Sequence, residues 1–375
     1  MYLQGKHIAF LCQYAAPYEG NFLLSLKKME LVLGERYAAQ CAYVFPMQAS
    51  QQSWFDGFNS AHTVFLTSDS MEMADGEIQR MFAKFCPDIV YTHFDGYDMP
   101  VARVVQNMRR SVKQVWHMHN TLGFHPNPIK SLYQIFCFFR HYGLPFLRGG
   151  EISLIAVNGH ELRFVRPCRC GIAIKEEVIP NGIDFVRLLK TPELKHKRNS
   201  KFRFLSYGGR NVQKRVDLLI KAALALSGTR DDFEVVITKG TDTEKVVNHI
   251  FNGDIPGWLR LIEQTDTIVD LLSSVDCFVS TSVHETFSYA VAEASVFGLP
   301  VIQSDIDGTM WNASNPSTFL FQSENVEDLA CRMRDVIDLP KEDMRRRCEI
   351  TRLRNVEQYS FDMWVNKIVD FLERL

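Results

Sequence analysis

The sequence predicts an α/β protein of two doubly wound domains, and three observations carry that reading. Short runs rich in β-branched and aromatic residues alternate with longer stretches of three- and four-residue apolar spacing, the pattern of parallel strands covered by helices on both faces. Several of the runs, such as DCFVS and PVIQS, are almost continuously apolar, as strands buried on both faces must be. Finally, 375 residues exceed one ordinary core, so the chain is expected to divide into domains of roughly 150–200 residues.

Composition bounds the function before any motif is read. With 46% hydrophobic and 23% charged residues, the chain has the make-up of a soluble globular protein. A formal net charge of −2 argues against general nucleic-acid binding, because a phosphate backbone is held by an excess of Lys and Arg. No apolar run approaches the roughly 20 residues of a membrane span, and IAFLCQY near the start lacks a signal-peptide cleavage pattern. The nine cysteines are scattered, Cys168 and Cys170 being the only close pair, which reads as reduced thiols in a cytoplasmic protein.

The first domain is expected over residues 1–186. It opens on the strand HIAFLCQY, passes through APYEGN, and continues as the helix FLLSLKKMELVLGE, which Gly34 is expected to end. Gly20 in the intervening loop reads as a tight turn. Further strands are AQCAYVFP, HTVFLT, DIVYTHF, KQVWHMH and EISLIAVNG, with GEIQRMFAKF and PVARVVQNMRR as helices among them. DIVYTHF and QVWHMHNT each carry histidine at the carboxyl end of a strand.

Between Asp98 and Glu151 the sequence has no acidic residue, although it holds Arg103, Arg109, Arg110, Lys113, Lys130, Arg140 and Arg148. Within that interval KSLYQIFCFFRHYGLPFLR interleaves aromatic residues with basic flanks. Such a segment suits the surface of an anionic membrane, and it equally suits a packing helix with a solvated basic edge. Asn181-Gly182 is a turn pair, and the charged, aperiodic RLLKTPELKHKRNS that follows is the expected interdomain linker.

The second domain is expected over 187–359. KFRFLSYGGR is a strand running into glycines and VDLLIKAALAL a helix, with Arg210 and Lys214 between them. FEVVITKG and LRLIEQT are strands, and TIVDLLSSVD is a short helix. The charge-rich stretch from Cys331 to Asn355 reads as solvated helical surface. The amphipathic helix over 360–375 closes the chain.

The stretch from Asp276 to Gly308 carries the chemistry. DCFVS and PVIQS are buried parallel strands, and the almost wholly apolar Tyr289–Phe297 between them is a helix. Thr286 or Ser288 can cap this helix, and Gly298 with Pro300 stops it. Glu285 stands where a strand's carboxyl end meets a helix N-terminus, the place at which open α/β sheets bind ligands. Glu293, embedded in AVAEASVF, needs a donor partner, because an unpaired buried carboxylate costs several kcal/mol. A structural ion pair and a ligand diol both satisfy that need.

With Ser282, Glu285, Phe287, Glu293, Ala294, Gly298, Pro300, Val301 and Ile302 in register, the stretch resembles the E-x7-E motif of retaining glycosyltransferases of family 4. GGRNVQKRVDLLIKA resembles the same family's G-R-x-x-x-K-G segment, with one residue fewer between Arg210 and Lys214 and with Arg215 at the usual glycine. The resemblance implies a GT-B architecture, two Rossmann-like domains facing across a cleft, with the final helix crossing back to the first domain. It implies that Glu285 binds donor-sugar hydroxyls, that Glu293 binds the nucleotide ribose, and that Gly209, Arg210 and Lys214 grip the donor diphosphate. It further implies His119 beside the anomeric centre, with His117 as its rival, and Glu19, Gly20 and Asn21 over the donor. Thr286 and Ser288 stand where the family commonly has glycine, flanking Phe287 in the donor loop.

The activity so implied is hexosyl transfer from a nucleotide sugar to a sugar or lipid-linked sugar acceptor, with retention, in polysaccharide or glycolipid assembly. No metal and no other cofactor is expected, since no aspartate pair accompanies the motif and the cations Arg210 and Lys214 can stabilise the departing diphosphate. Peripheral contact with the inner face of an anionic membrane fits the basic, aromatic interval. A GT-B isomerase or phosphorylase and a catalytically silent GT-B subunit are the rival readings. Hydrolysis by paired carboxylates is disfavoured, because both glutamates lie in one motif and do not flank a bond.

Overall fold

The computed structural model describes residues 1–69, 71–123, 127–148, 151–189, 201–265 and 268–375. The chain divides into two compact units, Met1–Gly182 with Phe361–Leu375, and Ile183–Ser360. The division falls at 182/183 instead of 186/187, and most of the expected linker lies outside the described residues.

In the first unit the strands are β1 (His7–Cys12), β2 (Gln40–Pro46), β3 (Val64–Thr67), β4 (Ile89–His93), β5 (Lys113–Met118), β6 (Ile152–Ala156) and β7 (Glu176–Val178). They form one parallel sheet in the order β3-β2-β1-β4-β5-β6-β7. The order reverses between β1 and β4, the switch point at which such sheets bind ligands at their carboxyl ends. There Cys12 pairs with His93, and His93 with His117.

The helix Gly20–Tyr37 runs through Gly34, and the chain turns only at Ala38, with φ of 49°. A mid-helix glycine costs about 1 kcal/mol, which the buried face of Phe22, Leu23, Leu26, Met29 and Leu33 outweighs. The helix Phe361–Glu373 packs on the same core through Trp364, Val365, Ile368, Val369, Phe371 and Leu372. Gly182 is required by this packing, since a Cβ there would lie 2.6 Å from Trp364 Cβ, and no turn forms at the expected Asn181-Gly182 pair.

The aromatic segment forms the helix Pro128–Tyr142, capped by Asn127, whose side chain accepts from the Ile129 and Lys130 amides. Its two faces differ in burial. Phe138 and Tyr142 pack with Trp116, Leu154 and Leu162, and His141 Nε2 lies 2.9 Å from the buried Asp98 Oδ2. On the other face Ile129, Leu132, Tyr133 and Phe136 are 77%, 68%, 68% and 59% exposed. No described helix is long and apolar enough to cross a membrane.

The second unit holds β8 (Phe202–Tyr207), β9 (Phe233–Thr238), β10 (Leu259–Ile262), β11 (Cys277–Ser280), β12 (Val301–Ser304) and β13 (Thr318–Phe321). Its sheet is parallel, in the order β10-β9-β8-β11-β12-β13. The helix Tyr289–Phe297 has the expected bounds, and Gly298 at φ of 100° ends it.

The charge-rich tail departs from the sequence reading. It forms the helices Val326–Asp338 and Lys341–Tyr359, the first burying Leu329, Met333 and Val336 in the core. The second buries Thr351 and Asn355. Asn355 Nδ2 donates to Ser295 Oγ at 2.8 Å and to Asn312 Oδ1 at 3.1 Å, while its Oδ1 accepts from Asn315 at 2.9 Å. A polar residue in a charged run looks solvated, but a fully paired buried amide is equally stable.

Candidate active site

In the second unit the loops after β8, β9 and β11 converge. A Cβ on Gly208 would lie 2.0 Å from Thr238 O, and one on Gly240 would lie 2.2 Å from Gly209 N. These glycines therefore serve backbone-to-backbone contact between the two loops. Beyond them Arg210 opens a single helical turn, Asn211–Lys214, that leaves its guanidinium exposed and without an ion pair among the described residues. Arg215 closes the turn in the left-handed region, φ of 47°. A non-glycine residue there costs roughly 1–2 kcal/mol, offset by ion pairs from its guanidinium to Asp217 and Glu324.

This turn is fastened to the loop after β11. Val283 N–H donates to Gln213 O at 2.9 Å, and Thr281 Oγ1 donates to Lys214 O at 2.8 Å. Lys214 Nζ then reaches Glu285 Oε1 at 2.6 Å, and Ser282 Oγ donates to the same oxygen at 2.9 Å. Behind Glu285 the chain has Gly308, where a Cβ would come within 1.9 Å of Glu285 O. Glu285, Lys214 and Ser282 thus form one cluster, with Gly308 fixing its depth.

The remaining residues of the donor loop divide by burial. Phe287 is buried, stacking on Trp311 at 4.8 Å between ring centres, so only its backbone is available to a ligand. Ser288 is the N-cap residue of the helix Tyr289–Phe297, but its side chain makes no capping hydrogen bond. Thr286 is half-buried. Glu293 lies half-buried, just over one turn into the helix. Burial, and after it the Glu293 carboxylate, pushes the Tyr207 phenol up from its ordinary range, and the Tyr207 hydroxyl is buried without a partner. Tyr207 was legible only as a strand residue; its position directly before Gly208-Gly209 is the signal that marks it.

In the first unit His119 lies just past β5, half-buried, with its ring 4.1 Å from that of His117. His117 sits deeper, 1% exposed, its Nδ1 2.9 Å from the Tyr91 hydroxyl. His93 joins them from β4, its Nδ1 3.0 Å from His119 Nε2. Burial depresses all three imidazoles, His119 to about 3 and the others well below their usual range, so the rings are uncharged near neutrality. Phe22 packs edge-on against His93 and His119 at 5.1 and 5.8 Å. Its helix begins two residues earlier at Gly20, φ of +58°, where an added Cβ would meet Tyr18 and Tyr14, with Asn21 between Gly20 and Phe22. Glu19 instead turns back to pair with Lys27 on its own helix.

Residues 191–352 match the family model described as glycosyl transferases group 1. No curated protein matches the chain by sequence. Among solved structures, a glycosyltransferase from Rickettsia africae is similar at TM-score 0.79 and 15% identity, covering 98% of each chain. Anabaena HepE, solved in complex with UDP and glucose, follows at TM-score 0.78 and 16% identity, over 99% of this chain and 100% of that one. WaaG, a glycosyltransferase involved in lipopolysaccharide biosynthesis, is similar at TM-score 0.69 and 14% identity, over 97% and 98%. The two parallel-sheet units therefore carry the GT-B fold, and the second bears the sequence signature of glycosyl transferases group 1.

Proposed function

We propose that the protein is a retaining glycosyltransferase that moves a hexose from a nucleotide sugar to an acceptor hydroxyl. The observation that carries the reading is the cluster of Lys214, Ser282 and Glu285 backed by Gly308, with Glu293 in the adjoining helix. A nucleotide-sugar donor is supported by the UDP and glucose bound to HepE.

In this reading the donor diphosphate takes Lys214 from Glu285, and Arg210, without an ion pair among the described residues, joins it. Two fixed cations then stabilise the charge that grows as the sugar–phosphate bond breaks, without a metal. Glu285, released from Lys214, accepts hydrogen bonds from donor-sugar hydroxyls, and Glu293 accepts from the ribose. His119, uncharged, is a hydrogen-bonding group beside the anomeric carbon. The leaving phosphate takes the acceptor proton on the face from which it departs, so configuration is retained with no enzymic nucleophile.

The acceptor is a sugar or lipid-linked sugar in cell-surface polysaccharide or glycolipid assembly, a class supported by the similarity to WaaG. The exposed stripe Ile129, Leu132, Tyr133 and Phe136, with Lys130 and Arg140 on the same helix, suits peripheral contact with an anionic bilayer at the cytoplasmic face.

The deciding experiment is a panel of nucleotide sugars screened first by thermal stabilisation and then for release of nucleoside diphosphate. Release only in the presence of an acceptor, with the product anomer matching the donor's, is the expected result. Release without acceptor, or reversible formation of a sugar phosphate, overturns it.

A further inference from the structure

Of the three clustered histidines of the first unit, glycosyl transfer uses only His119 and accounts for neither His93 nor His117. His93 and His117 are partners across β4 and β5 and are 0% and 1% exposed. One ring nitrogen from each of His93, His117 and His119 lies within 4.8 Å of the others. The Nδ1 atoms of His117 and His93 are engaged, with the Tyr91 hydroxyl at 2.9 Å and His119 Nε2 at 3.0 Å. Their Nε2 atoms are both buried with no hydrogen-bond partner among the described residues. Leaving one buried polar atom unsatisfied costs about 1–3 kcal/mol, so two in adjacent rings point to a ligand that satisfies both.

We propose that His93, His117 and His119 form a binding site for a divalent transition metal of the zinc class. With the ring protons on Nδ1 of His117 and His93, shared toward Tyr91 and His119, both buried Nε2 atoms present lone pairs. A hydroxyl on the far nitrogen is how metal-ligating histidines are held in orientation and tautomer. An all-imidazole donor set selects zinc, cobalt, nickel or copper over magnesium and calcium, which prefer oxygen. Zinc–nitrogen bonds of about 2.0–2.1 Å place tetrahedral ligands about 3.4 Å apart, so nitrogens that now lie within 4.8 Å of one another must draw in by up to about 1.4 Å. His119, half-buried at the edge of the cluster, supplies the rest of the movement by leaving its hydrogen bond to His93 Nδ1 and rotating toward the Nε2 edge of that ring. The fourth position stays open to water.

The metal here is not a cofactor for transfer. Its occupancy withdraws His119 from the reacting sugar, so zinc-class ions inhibit; only this consequence rests on the function proposed above.

The test is titration of the metal-free full chain with Co²⁺, followed by its visible ligand-field band, and with Zn²⁺ by calorimetry. One equivalent is expected to bind with a nitrogen-ligated spectrum, and His93→Gln and His119→Gln are each expected to weaken it by about tenfold or more. His119→Gln changes a residue at the half-buried edge, and cooperative melting of both variants verifies folding. The cysteines Cys86, Cys170 and Cys331 are exposed thiols, and a thiolate-to-cobalt charge-transfer band would place the ion on them. That band, the absence of a ligand-field band, or unchanged affinity in both folded variants overturns the site. Metal binding to the histidines with transfer unimpaired leaves the site standing and removes His119 from the reaction.

Discussion

Lys214 Nζ lies 2.6 Å from Glu285 Oε1, joining residues 71 positions apart through two loops that hydrogen-bond each other's backbone. Each charge is held in place by the other, and in the function proposed above the donor's diphosphate and sugar separate them. Replacing Lys214 with Ala is therefore expected to lower kcat by roughly 10²–10³-fold, the scale of losing one electrostatic stabiliser. Arg210→Ala is expected to do the same, with a smaller loss of donor affinity. Steady-state kinetics on both variants checks this, and near-normal turnover would remove the assignment.

Glu293 and Glu285 are expected to separate in their kinetic signatures. A carboxylate facing a ribose diol is used about equally in ground and transition states, so Glu293→Gln should chiefly raise the donor KM. Glu285→Gln should chiefly lower kcat. The opposite split would show the two roles exchanged.

Excess EDTA is expected not to lower transfer, because in the proposed mechanism Arg210 and Lys214 supply the charge that a metal would otherwise provide. An enzyme that stops on chelation and resumes with magnesium or manganese would contradict this.

Binding to anionic vesicles is expected to fall with rising salt, since its electrostatic part is screened over about 8 Å at physiological ionic strength. The residues to change are Leu132 and Phe136, each to Ser. Phe138, which the composition alone would have chosen, packs into the core and against Phe164. Cosedimentation of wild type and the double variant measures the effect, and a wild type that ignores vesicles at low salt makes the stripe a protein-binding face.

Asn355 is expected to be worth more to stability than its place in a charged run suggests. Asn355→Ala removes three buried hydrogen bonds, to Ser295 Oγ, Asn312 Oδ1 and Asn315 Nδ2, although Asn312 and Asn315 still pair with each other and Ser295 with Ala292 O, and should cost about 1–3 kcal/mol in denaturant unfolding. A change within error would mean that water repairs the network.

Those residues also mark what sequence reasoning reaches and what it misses. Strand and helix periodicity located the sheets, and the spacing of Glu285 and Glu293 located the motif, because both are encoded within one short window. Gly308 behind Glu285, Tyr207 beside Glu293 and Asn355 beneath the helix act through space. Gly34 failed as a helix stop because tertiary burial overrides a single glycine's propensity. The helix Phe55–Ala61, the helix Thr243–Phe251 and β13 were not expected at all, the strand being only four residues long.

The helix Phe361–Glu373 has a consequence for the order of assembly. Its Glu373 carboxylate accepts the Tyr2 and Leu3 amides at 2.9 and 3.1 Å, and its apolar face completes the core around Phe10 and Tyr43. On the ribosome, the first 182 residues emerge without the side chains from Trp364 to Leu372 that cover this face. The second unit, continuous from Ile183 to Ser360, is whole before the first can close. The unit begun first thus closes only after the second, and until Trp364 to Leu372 emerge it shows a chaperone the part of its apolar core that those residues will cover.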